Sequence, residues 1–77
     1  MENLVTSNGK KVYCIDSEKA YRGATAKQVN YLLHFKNVMF LDNKVVSISQ
    51  MTKRIEQEDM SELIDLAKSG EEIYLEG

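Results

Sequence analysis

Seventy-seven residues make one small domain, which buries only about 60% of the surface its unfolded chain exposes and leaves little interior for a deep substrate cavity. A composition of 43% hydrophobic and 29% charged residues argues against disorder, and no apolar run approaches the ~18 residues of a membrane span. The net charge of −2 conceals a division: nine Lys/Arg stand against four Asp/Glu up to Arg54 (+5), and one against eight from Ile55 onward (−7).

The opening MENLVTSNGKK lacks the apolar centre of a signal peptide. A single cysteine, Cys14, cannot form an internal disulfide, so a cytoplasmic setting is expected. The stretch NLVTSNGKKVYCID reads as a hairpin, because Asn8-Gly9 suits a two-residue turn whose residues take positive φ. In its second strand Val12 and Cys14 point one way, and Tyr13 and Ile15 the other. A polar loop, SEKAYRG, follows.

Thr25 and Gln28 match a capping box, in which each side chain satisfies a backbone amide at the helix start. Behind them Ala26, Val29, Leu32, Leu33 and Phe35 fall on one arc and predict a buried face. Lys27, Asn30 and His34 fall opposite, with Tyr31 at the rim, and Asn37 is expected as a left-handed stop. VMFLDNKVVSIS reads as a second hairpin: Val38–Leu41, a turn at Asp42-Asn43, then Lys44–Ile48. The unbroken run Val-Met-Phe-Leu points to a strand covered on both faces or lying at the centre of a sheet. SQMTKRI suits a short helical turn.

EDMSELIDLAKSG predicts a helix with Met60, Leu63, Ile64 and Ala67 inward, acids in the first turn, Lys68 in the last and Gly70 just beyond. EEIYLEG ends as a strand with Ile73 and Leu75 inward. Residues 1–77 therefore read as a single α+β domain. A small mixed or antiparallel sheet, from two hairpins plus a C-terminal strand, packs against helices at about 25–36 and 58–69. Met39, Met51 and Met60 are expected as core fillers.

Chemistry is scarce. One histidine and one cysteine cannot supply the three or four ligands of a zinc site. No calcium-loop or phosphate-loop spacing occurs, so no metal or cofactor is expected. A Cys14–His34 pair assisted by Asp16 is conceivable, but a thiol in a strand is expected to be buried and inert without a positive neighbour. No catalytic residue, and no enzyme, is predicted.

Two charged sets remain. Glu58, Glu62 and Asp65, at i, i+4 and i+7, place their carboxylates in one stripe on the polar side of the last helix, about one turn apart along the axis. The helix dipole accounts for acids in the first turn but not for Glu62 and Asp65, since like charges at i, i+4 repel. Extended by Glu71, Glu72 and Glu76, the stripe is expected to dock on a basic groove of a larger, nucleic-acid-handling protein. The alternative set, Lys10, Lys11, Lys27, Lys53 and Arg54, with Tyr13, Tyr21 and Tyr31 interspersed, would contact nucleic acid directly. No basic recognition helix supports that reading, because the best polar helical face is acidic.

ATAKQVNYLL (Ala24–Leu33), MTKR (Met51–Arg54) and SELID (Ser61–Asp65) together resemble a small helical module of phage and bacterial DNA-processing and recombination proteins. That module opens on A-T-x-K-Q-x-x-Y-L and closes on T-K-x-x-A-S-x-L-I-D. This chain departs from it by the VMFLDNKVVSIS insertion, the extra IEQEDM and the flanking strands. The resemblance implies a phage or mobile-element setting near DNA transactions and carries no catalytic residue across. The leading expectation is thus a non-enzymatic accessory protein that inhibits or modulates a host or defence protein, its acidic surface acting as a nucleic-acid mimic. A DNA-binding regulator and a module self-associating through an edge strand of the terminal hairpin, as a homodimer, are the alternatives.

Overall fold

The computed structural model describes residues 2–77. Asn8 and Gly9 both take positive φ, 53° and 76°, the two-residue turn that matches strand twist. They join β1 (Leu4–Ser7) to β2 (Lys10–Cys14), paired antiparallel with Val5 opposite Val12. Thr25 caps α1 (Ala26–Leu33) in the anticipated box: its side chain accepts from the Gln28 amide at 3.1 Å while Gln28 Oε1 accepts from the Thr25 amide at 3.0 Å. β3 (Val38–Phe40), a single 3₁₀ turn (Leu41–Asn43), α2 (Ile48–Arg54), α3 (Gln57–Lys68) and β4 (Ile73–Glu76) complete the chain.

The sheet order is β1-β2-β4-β3, with β4 parallel to both of its neighbours. The fold is α+β: a four-stranded mixed, open sheet with three helices. Alternation along the strands gives each face its own set of side chains. Tyr13, Ile15, Val38, Ile73 and Leu75 are buried in one core with Val29 and Leu32 of α1, Met51 of α2, and Met60, Leu63, Ile64 and Ala67 of α3. All three helices thus lie on one side of the sheet.

The loop before α1 is stitched to the α2–α3 junction. The Glu56 carboxylate accepts the amides of Tyr21 (2.6 Å) and Arg22 (3.1 Å), and the Ala24 amide donates to the Ile55 carbonyl at 2.8 Å. At Gly23 a Cβ would collide with the backbone oxygen of Thr52, so close approach of two chains explains this glycine.

Several expectations are corrected. There is no second hairpin: only Val38–Phe40 is strand, and after the 3₁₀ turn the chain runs to Ser47, whose hydroxyl caps α2 by accepting the Gln50 amide at 3.2 Å. Asp42 and Asn43 do take positive φ, 54° and 58°, but the chain they release starts a helix instead of returning along β3. β3 is an edge strand, not a central one, and Met39 is 40% exposed instead of filling the core; Met51 and Met60 are buried. Ala26, placed inward by periodicity, is exposed in the first turn of α1. Asn37 is not a left-handed stop: its side-chain amide donates to the carbonyls of Ala67 (3.0 Å) and Glu71 (2.7 Å), tying the start of β3 to the turn after α3.

Candidate binding surfaces

The outer pole of α3 carries the first candidate. Met60, Leu63, Ile64 and Ala67 are buried, whereas Glu58, Glu62 and Asp65 are exposed. At 100° per residue the three acids occupy a narrow arc diametrically opposite the buried set. Among the described residues the only ion pair is Lys11–Glu71, at 3.4 Å, so no cation neutralises this arc. Asp59 and Glu56 are occupied differently. Asp59 accepts the buried Tyr13 hydroxyl at 2.7 Å, and Glu56 braces the loop before α1. Burial first, then the Asp59 carboxylate, raises the Tyr13 pKa well above the ordinary tyrosine value.

The other three predicted acids do not extend the stripe. Glu71 is paired with Lys11. Glu72 accepts the Tyr74 hydroxyl, and Glu76, beside Cys14 in the ladder, accepts from its thiol at 3.5 Å. Glu72 and Glu76 therefore stand with Tyr74 on the sheet face that the helices leave bare. Sequence separation could not foresee this, because β4 is inserted between β2 and β3 with its alternate residues turned away from α3.

That bare face is the second candidate, and sequence reasoning missed it. Ladder register sets Val5, Val12, Tyr74 and Met39 in one row across all four strands. Val5 is 51% exposed. Lys10 lies 5.1 Å from the centre of the Tyr74 ring, and a shallow depression beside it is lined by Val12, Cys14, Leu41 and Tyr74. The available signal was the run Val38-Met39-Phe40-Leu41, whose apolar character on both sides of the pleat is what an uncovered apolar face also requires.

The basic set does not converge. Lys10 sits over Tyr74 on the bare face and Lys11 is paired with Glu71. Lys27 lines an open groove of about 660 Å³ between α1 and α3, with Tyr31, His34 and Ile64. Lys53 is exposed at the end of α2, and the Arg54 guanidinium donates to the Asp16 carbonyl. In the same groove region Lys68 lies 5.6 Å from the Tyr31 ring centre.

Cys14, His34 and Asp16 do not meet. Cys14 is half-buried on the bare face, not fully buried as expected. His34 caps α1 on the helical side, its Nδ1 2.6 Å from the Asn30 carbonyl, and Asp16 accepts the Glu18 amide at 3.0 Å. Burial and the neighbouring Glu76 carboxylate raise the thiol pKa, which lowers its thiolate fraction. Among the described residues no group of three or more His, Cys, Asp or Glu is placed to hold a metal ion, and no helix is long and apolar enough to cross a membrane. Comparison of the chain with protein-family models, with curated proteins and with solved structures gives no match.

Proposed function

We propose that the protein is a small non-enzymatic accessory protein that docks the outer pole of α3 on a basic groove of a larger, nucleic-acid-handling protein and so modulates or inhibits it. The observation that carries this reading is the row Glu58, Glu62 and Asp65, exposed on one arc without a cation in ion-pair reach among the described residues. Like charges at i, i+4 cost a few tenths of a kcal/mol, which folding alone gives no reason to retain. Unscreened charge of one sign steers a partner of the other sign and makes binding sensitive to salt. A phage or mobile-element setting rests on the A-T-x-K-Q resemblance alone. The scattered lysines argue for a protein partner over direct contact with DNA.

The test is displacement of labelled duplex DNA from a panel of basic nucleases and polymerases, with the wild type and the triple variant Glu58→Lys/Glu62→Lys/Asp65→Lys as competitors. The wild type is expected to displace DNA from at least one member. The triple variant should lose at least about tenfold in affinity, 1.4 kcal/mol or more, with native circular dichroism. A gel shift with duplex and single-stranded DNA should show no complex of the protein itself. Equal competition by both proteins, or a strong gel shift, removes the acidic pole as the site.

A further inference from the structure

Two exposed apolar surfaces differ in the charge around them. The bare sheet face is bordered by both signs, Lys10 with Glu72 and Glu76, whereas the groove between α1 and α3 is bordered by cations alone. Lys27, Tyr31 and His34, at i, i+4 and i+7, share one arc of α1 and form one wall, and Ile64 of α3 lies at the floor. At one end the Gln28 side chain donates to the Ser61 hydroxyl at 3.3 Å. At the other, the Lys68 ammonium stands 5.6 Å from the Tyr31 ring centre, and Phe35 backs the same ring at 5.3 Å. Among the described residues the only ion pair is Lys11–Glu71, so Lys27 and Lys68 have no acidic partner. No acid lines the groove; Glu62 and Asp65 line a separate depression with Leu4, on the other side of α3.

This combination selects its occupant. An apolar floor beside an aromatic ring suits apolar side chains, and unpaired lysines on both walls suit carboxylates. The walls are helices whose backbone groups bond internally, so an extended peptide would find no ladder to join and would bury unpaired amides of its own. A helical ligand satisfies its backbone within itself. Lys68 and Phe35 already lie against the Tyr31 ring, which competes with the stacking of a nucleic-acid base. A second copy of the chain does not fit: its acidic helical face is on α3, where no large apolar residue is exposed.

We infer that the α1–α3 groove is a second docking site, which takes an acidic amphipathic helix of a partner protein. Its apolar stripe lies on Ile64 and Tyr31, and flanking Asp or Glu residues reach Lys27 on one wall and Lys68 on the other. The eight residues of α1 make a wall about 12 Å long, which matches about two turns of the incoming helix.

The site is independent of the docking proposed for the acidic pole of α3, and its test separates the two. The probe is a synthetic end-capped peptide of about 14 residues, a leucine stripe flanked by glutamates, titrated into the isotope-labelled full chain and followed by amide NMR shifts. Shifts are expected along residues 25–34 and 61–68, with a dissociation constant below about 1 mM that rises with salt. Lys27→Glu/Lys68→Glu should weaken binding at least about tenfold, and Tyr31→Ser, at an exposed position, at least about threefold. Glu58→Lys/Glu62→Lys/Asp65→Lys should bind the peptide at least as tightly as the wild type. No binding at about 1 mM peptide, or equal binding when lysines replace the glutamates, overturns the inference. So does unchanged affinity in either groove variant, or loss in the acidic-pole variant. Tighter binding of single-stranded DNA to the same residues would overturn it too, in favour of a nucleic-acid site.

Discussion

The two faces of the sheet are built from the same strands and have opposite fates. On β4, Ile73 and Leu75 are fully buried under the helices while Tyr74 between them reaches the open side. On β3, Val38 is buried while Met39 is 40% exposed. The helical side behaves as a protein interior, where volume and hydrogen bonding are fixed. The open side has the composition of a half-interior with no helix over it among the described residues. A run of apolar residues therefore reports that a strand has two apolar sides, not that both are covered.

The largest test of this contrast is Leu75→Ala. It removes a fully buried side chain and should cost about 2–5 kcal/mol in urea unfolding, a large share of the roughly 4–11 kcal/mol available to a domain of this size. A middle-sized effect is expected at Tyr13, whose hydroxyl donates to Asp59. Tyr13→Phe should cost about 1–2 kcal/mol near neutrality. Because the Tyr13 pKa is raised in the fold, the unfolded chain loses this proton first. Wild-type stability should accordingly fall as pH rises through about 10, and Tyr13→Phe should lack that contribution. Tyr74 is also raised, chiefly by its bond to Glu72, so the informative quantity is the difference between the two proteins. The smallest effect is expected on the open side, where Met39→Thr should change the stability of the dilute protein by no more than about 0.5 kcal/mol. A loss there comparable to that at Leu75 would mean that the open face is covered in solution.

Much of the fold was legible because its signals were local. Asn8-Gly9 specifies its turn, Thr25 and Gln28 specify a helix start, and Met60, Leu63, Ile64 and Ala67 specify which side of α3 is buried. The second hairpin was misread because Val45, Val46 and Ile48 favour a strand. Their preference loses to the Ser47 cap, the helix that follows it and the burial of Met51 and Ile55. The acidic pole of α3 was readable for the same local reason, since i, i+4 and i+7 fix an arc on any helix. The fate of Glu71, Glu72 and Glu76 was not, because it depends on which strands β4 enters between.

The position of β4 has a consequence for how the molecule comes together during synthesis. This strand is the last element in chain order and yet occupies an interior place in the sheet, parallel to β2 and β3. Until it emerges from the ribosome, β2 and β3 have no strand between them, and the helices have only half a floor to settle on. Nascent chains that have reached α3 but not Ile73 are therefore the species most exposed to sticking together or to chaperone capture. Completion of the sheet must wait for Ile73–Glu76.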